Sequence, residues 1–347
     1  MLSILLSVAS TVCACVPMFG FLVVVWWLDR YDREPVWLIG LTFLWGATGA
    51  VVGAVAVSSV VDGLSGFALH VAGGGFGFDA ETAAGMVGPV LVAPLVEEPC
   101  KAVFLAYVIW NRHFDNMTDG FVYGAAAGLG FGMTENLMYF VSLSNDMSTW
   151  GSTVVVRTFY SAIMHATATA VVGASLGFAR FRGCATLGAI GLGGLGLAMV
   201  VHGLWNGLIT VGEVTGGDLP FMLDLALFPV EVIAVFLVFQ VCLWDESVTI
   251  RRELLEEADQ GRIPREHADI LSSWLRRLLS GWVPAGVDHA LYVQTATSLA
   301  MRKRQVRQMG PLAPEFYRDE VDRLRRQVEL LLRVGPPHED FRGRRGG

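Results

Sequence analysis

Glu97 and Glu98 lie in the middle of an otherwise apolar run, MVGPVLVAPLVEEPCKAVFLAYVIW from Met86 to Trp110, where Lys101 is the only other ionisable residue. Charge at that depth of a bilayer costs several kcal/mol per group, so such residues face a polar interior and serve a purpose. Lys101 follows Glu97 by four residues and Glu98 by three, so it can reach either on one helical face. It would compensate one carboxylate and leave the other for acid–base work. His202 and Asn206 are also four apart, so an imidazole and an amide donor could aim together at a carbonyl oxygen. Glu135, His165 and Glu231 occupy similar positions in other apolar runs.

The elements that must hold these groups are membrane helices. The chain has 347 residues, is 53% apolar and has a mean hydropathy of +0.52, which is the profile of a polytopic membrane protein. Seven stretches reach the length a span needs: 4–28, 36–60, 86–110, 120–144, 154–179, 184–210 and 220–244. No basic segment precedes the first, which therefore reads as a retained span and not a cleaved signal. The five cysteines all fall in apolar runs, which argues against a disulfide framework or a soluble zinc ribbon.

Residues 1–244 carry seven Lys and Arg against 16 Asp and Glu, whereas residues 245–347 carry 18 against 16. The expected organisation is thus a membrane domain over 1–244, a soluble helical tail over 245–335 and a disordered end over 336–347. The fold class is all-α, with about seven transmembrane helices. Helical pieces are predicted at 247–258, 265–280, 287–309 and 315–333. Trp274, Leu275, Leu278 and Leu279 beside Arg276 and Arg277 suit either the membrane surface or a bundle packed on itself. The Gly-rich stretch 61–85 reads as an irregular loop.

Basic residues follow alternate spans: Arg30 and Arg33, then Arg112, then Arg180 and Arg182, then Arg251 and Arg252 in the tail. The loops 61–85, 145–153 and 211–219 have none. The positive-inside rule places the N-terminus outside and the tail in the cytoplasm. Counted from the outer ends of their spans, Glu97, Glu98, Glu135, His165 and His202 all fall roughly 12–18 Å deep at 1.5 Å per residue. Glu231 shares that level. Five ionisable groups from four helices in one layer point to a shared hydrated cavity. Pro89, Pro94 and Pro99 kink the third span and free carbonyls that could line it. Gly124, Gly128 and Gly132 allow close helix packing.

The chain resembles the PrsW family of bacterial intramembrane proteases. The likeness rests on DRYDREP at Asp29–Pro35, PLVEEPCK at Pro94–Lys101 and DGFVYGAAAGLGFGMTEN at Asp119–Asn136. A span bearing His165 after Arg157, and HGLWN at His202–Asn206, complete the series. The type II CAAX prenyl proteases and Abi proteins are distant relations that share a double-glutamate helix and a His-x-x-x-Asn helix. The resemblance implies cleavage of a single-pass, membrane-tethered substrate such as an anti-sigma factor, near its extracytoplasmic side. It assigns the essential glutamates to Glu97 and Glu98, the motif histidines to His165 and His202, and the fourth-span motif to Glu135 and Asn136. The long tail departs from the compact family pattern and could bind cytoplasmic proteins; no nucleic acid is expected as partner.

Two mechanisms fit these residues. In one, Glu97 or Glu98 activates water, His165 positions it or polarises the carbonyl, and His202 with Asn206 supports the oxyanion. In the other, His165, His202 and a glutamate, Glu135 or one of the pair, bind Zn²⁺. A non-enzymatic reading, a proton-coupled transporter or a scaffold, also uses intramembrane carboxylates and histidines. The chain shows no inverted repeat, and its polar layer is single.

Overall fold

The computed structural model describes residues 2–72, 85–215, 218–279 and 281–333. Among them every regular element is helical. Helix is what an apolar run adopts where water cannot satisfy its backbone, because all amide bonds close within the segment. The chain divides into two compact units, one of residues 1–29 and 33–240, the other of residues 30–32 and 241–347.

The described residues of the first unit form seven helical rods. They are α1 (Leu2–Leu28), then α2 (Val36–Trp45), which passes through a π-helical turn at Gly46–Ala50 into α3 (Val51–Ala72). A second π turn at Gly88–Val92 opens α4 (Ala93–Val108). Next come α5 (Met117–Ser142) and α6 (Met147–Val156), the latter joined by a third π turn at Arg157–Ser161 to α7 (Ala162–Ala179). The last two are α8 (Cys184–Thr215) and α9 (Asp218–Asp259). Among the described residues, five segments are long and apolar enough to cross a membrane: Ile4–Leu28, Val36–Val61, Met147–Ala179, Cys184–Gly212 and Ala226–Asp259. The two rods outside that set, α4 and α5, carry Glu97, Glu98, Lys101 and Glu135.

The predicted loop 61–85 is corrected in its first half, where α3 continues to Ala72. Residues 73–84 and the predicted disordered end, 336–347, lie outside the described residues. No break separates the seventh span from the first piece of the tail: α9 runs unbroken past Asp245 and Glu246, since neither residue stops a helix.

α5 is the central rod, buried without interruption from Thr118 to Gly132. Its start is fixed by a capping box: Asn116 accepts from the amides of Thr118 and Asp119, and Asp119 accepts from the amide of Asn116. Its glycines set the spacing to α7. A Cβ on Gly124 would stand 2.3 Å from the carbonyl oxygen of Thr169, and one on Gly128 2.2 Å from that of His165. Only a bare backbone admits such an approach. Gly132, where a Cβ would meet the His165 ring at an ordinary 3.4 Å, is less constrained. Outward faces are apolar and exposed, as with Val52, Leu192 and Leu204, which suits a lipid surround.

The second unit comprises residues 30–32, the end of α9, α10 (Arg265–Leu271), α11 (Trp274–Arg277), α12 (His289–Met309) and α13 (Glu315–Arg333). The predicted helix 265–280 is thus two short helices parted at Ser272 and Ser273, where Ser273 caps α11. Ile250, Leu254, Leu271, Tyr292, Leu299 and Val328 form a core. Buried Glu257 receives Arg262, Lys303 and Arg325 at 2.6–2.8 Å. Residues 30–32 join this unit through Arg30 over the Trp274 ring, the Tyr31 hydroxyl on the Ser272 carbonyl (2.9 Å) and Arg277 on the Tyr31 carbonyl (3.0 Å). Leu275, Leu278 and Leu279 remain exposed.

Candidate active site

Four rods bring their polar residues together. α4 supplies Glu97, Glu98 and Lys101, α5 Glu135, α7 His165 and α8 His202. Glu98 and Lys101 are fully buried and ion-paired at 2.7 Å. His202 donates through Nδ1 to the same Glu98 oxygen, at 2.8 Å, and Thr169 reaches the other oxygen at 3.3 Å. The second nitrogen of His202, Nε2, faces Glu97 at 3.8 Å. On the opposite wall, His165 donates through Nε2 to Glu135 at 2.6 Å, and Arg157 pairs with the same carboxylate oxygen at 2.8 Å. Nδ1 of His165 accepts from Lys101 at 2.9 Å. The two imidazole rings stand edge to face, 5.0 Å apart.

The carboxylates therefore divide. Glu98 is spent on Lys101 and His202, and Glu135 on Arg157 and His165. Glu97, 3.4 Å from Lys101, has a side chain 15% exposed. It opens into a cavity of about 440 Å³ that Glu135, Arg157, His165, Asn206 and Tyr139 also line. Water has room there.

π turns bound this cavity. A π turn inserts a residue and loosens the regular bond ladder, often at a functional site. Asn206 donates to the Pro89 carbonyl in one such turn, at 2.9 Å. Asn136 donates to the Arg157 carbonyl that starts another, at 3.2 Å, and accepts from the Arg157 guanidinium at 3.0 Å. The predicted oxyanion amide thus serves here as an interhelical tie to the Pro89 carbonyl. Asn206 still lines the cavity.

Among the described residues, Glu97, His165 and His202 each offer a ligand atom within 4.8 Å of the others. Two imidazoles and a carboxylate form a familiar zinc set. Each imidazole is further backed by a second carboxylate, His202 by Glu98 and His165 by Glu135, as metal-ligating histidines commonly are. The donors fit a divalent metal ion, with one difference from expectation. Glu135, one of the glutamates predicted as third ligand, is not in the group, because Arg157 and His165 engage it.

Sequence reasoning missed three neighbours. Thr169 follows His165 by four residues, Phe131 precedes Glu135 by four and Tyr139 follows it by four, so helical spacing alone carries the signal. The Phe131 ring stacks under the Lys101 ammonium at 4.1 Å, and Tyr139 faces the Arg157 guanidinium at 3.8 Å. Glu231 does not line this cavity; it lines a separate apolar one.

A helical membrane bundle with a buried carboxylate–imidazole centre open to a polar cavity is the class that fold and site define. Residues 34–241, more than half of the chain, match the family described as PrsW family intramembrane metalloprotease, and the chain belongs to that family. It is 29% identical over 154 residues to Protease PrsW of Bacillus subtilis (strain 168), a match covering 44% of this chain and 61% of that protein. No solved structure matches the chain.

Proposed function

We propose that this protein hydrolyses a peptide bond of a membrane-tethered protein, in the cavity beside Glu97, His165 and His202, with a divalent metal ion, Zn²⁺ by the chemistry of the donors. The observation that carries it is the gathering of these three groups, each imidazole backed by a second carboxylate, next to space for water. Glu97, His165 and His202 would hold the ion, which would polarise the scissile carbonyl and make water a better nucleophile. Glu98 fixes the His202 ring so that Nε2 points at Glu97. Lys101 offsets the charge of Glu98, and Glu135, anchored by Arg157, fixes His165. The Asn206–Pro89 and Asn136–Arg157 ties hold the cavity walls.

One observation favours a second, metal-free reading. Lys101 already sits as a cation among Glu97, Glu98 and His165, on the nitrogen that a metal would need. In that reading Glu97 is the general base, and His202 Nε2 faces it at 3.8 Å. Metal analysis of the purified protein separates the two. Stoichiometric zinc, with cleavage lost on chelation and restored by Zn²⁺, is the expected result. Full cleavage by metal-free protein would exclude the metal reading.

Substrates are sought as single-pass proteins that are truncated in wild-type membranes and intact in Glu97→Gln membranes; an anti-sigma factor is the candidate the family suggests. With the N-terminus outside and the tail cytoplasmic, the site lies in the outer half of the bilayer. The cut should therefore map to the extracytoplasmic end of the substrate helix. A product cut at the cytoplasmic end would refute this orientation.

A further inference from the structure

A second cavity, of about 380 Å³, adjoins the polar one. Its walls are mainly apolar side chains of α7, α8 and α9, among them Val171, Leu197, Val201, Leu204, Leu227 and Val230, with Glu231 as the one ionisable group among the described lining residues. Trp205 lines both cavities. It stands between His202 and Asn206 on α8, and Tyr160 links it to Phe228, with ring centroids at 6.3 Å and 4.2 Å.

The order of lining residues along three helices gives the direction. On α8 the apolar cavity takes Leu197, Val201, Leu204 and Leu208, and the polar one, centred further along the helix, takes Asn206, Ile209 and Thr210. On α7, which runs the other way, His165 belongs to the polar cavity and Val171 to the apolar one. On α5, Phe121 belongs to the apolar cavity and Glu135 to the polar one. The apolar space is therefore a trough that leads from the site toward the end of the bundle where α5 and α8 begin. From Leu197 to Trp205 it extends roughly 12 Å at 1.5 Å per residue.

We propose that this trough cradles the apolar helix that tethers the substrate, on the side of the scissile bond that stays in the membrane. The inference rests on the proteolytic reading of the site. A bond next to a membrane helix can enter the polar cavity only if that helix finds an apolar seat within a few ångströms. The trough abuts the site at Trp205, is lined mainly by apolar side chains, and runs along the bundle axis away from the end where the cut is made. Lipid chains are as apolar as the seat, so recognition would come from shape. Trp205, Tyr160 and Phe228 form the joint between seat and site.

The test uses the full chain in native membranes, with the substrates identified from Glu97→Gln cells. Leu227→Trp and Val230→Trp fill the trough from α9, which gives no residue to the polar cavity. Cleavage of the anchored substrates should fall at least tenfold, while a soluble peptide spanning the mapped cut is hydrolysed at the wild-type rate. Undiminished cleavage of anchored substrates by both variants would overturn the proposal. If both variants lose both activities, photocrosslinking decides. A benzophenone amino acid at position 230 of the Glu97→Gln protein should join to the substrate helix, and adducts with lipid alone would overturn the seat. Should Glu97→Gln cells cleave everything that wild-type cells cleave, the proteolytic reading fails, and the trough proposal with it.

Discussion

Glu97 and Glu98 are adjacent in sequence and unequal in surroundings. Glu98 is wholly enclosed by Lys101, His202 and Thr169, whereas Glu97 reaches the cavity. Their substitutions should therefore differ in kind. Removing one partner of a buried pair leaves the other charge uncompensated and costs about 3–5 kcal/mol. Glu98→Gln should lower both the unfolding temperature and cleavage. Glu97→Gln should abolish cleavage with little change in unfolding temperature, because Lys101 keeps Glu98. Thermal unfolding in detergent beside a cleavage assay makes the comparison; equal unfolding temperatures for the two variants would contradict the division of roles. The partition was invisible in the sequence, because the EExxK spacing lets Lys101 reach either glutamate. So was the fate of Glu231, expected at the level of the others, which lines the trough.

At the scale of the element, α5 and α7 meet backbone to backbone at Gly124 and Gly128, and this contact delivers His165 to Glu135. A methyl group at Gly128 would press on the His165 carbonyl, and overpacking of this kind costs typically about 1–3 kcal/mol. Gly128→Ala should lose cleavage more steeply than stability, while Gly132→Ala, which meets only ordinary contact, should retain both. The start of α5 carries a second tie. Buried Glu34 accepts from the Tyr123 hydroxyl, and its amide donates to Asp29 at 3.2 Å. Burial, then the charge of Asp119, raises the Glu34 carboxyl well above its ordinary range. A carboxyl that holds its proton more tightly when folded contributes stability that is full below the unfolded value and is lost as pH rises through the folded one. The unfolding temperature should accordingly decline as pH climbs above the ordinary carboxylate range. Glu34→Gln should flatten that decline; an unchanged pH profile would show that Glu34 does not set it.

At the scale of the whole molecule, hydropathy gave the rods and their order, since a period of apolar residues is a property of the sequence itself. The layer of carboxylates and imidazoles was legible for the same reason: depth follows from residue count along a helix. Rotation about each helix axis was not. It decides which carboxylate serves which imidazole, and it depends on side-chain packing between rods that are distant in sequence. Helix ends were also missed where a boundary hung on composition. The Gly-rich stretch 61–85 suggested loop, yet the backbone stays helical to Ala72, and the seventh span, expected to end at 244, continues in α9 to Asp259.

The π turns at Gly46–Ala50, Gly88–Val92 and Arg157–Ser161 correct that rotation where it matters. Each adds a residue to its rod, and each residue of a helix turns the chain by about 100°. Taking one residue out of Arg157–Ser161 would swing His165 off the Glu135 wall without altering a single side chain of the centre. The reacting groups are thus aimed by arithmetic as much as by chemistry, and a change of length in these three short stretches is a heavier lesion than most changes of letter.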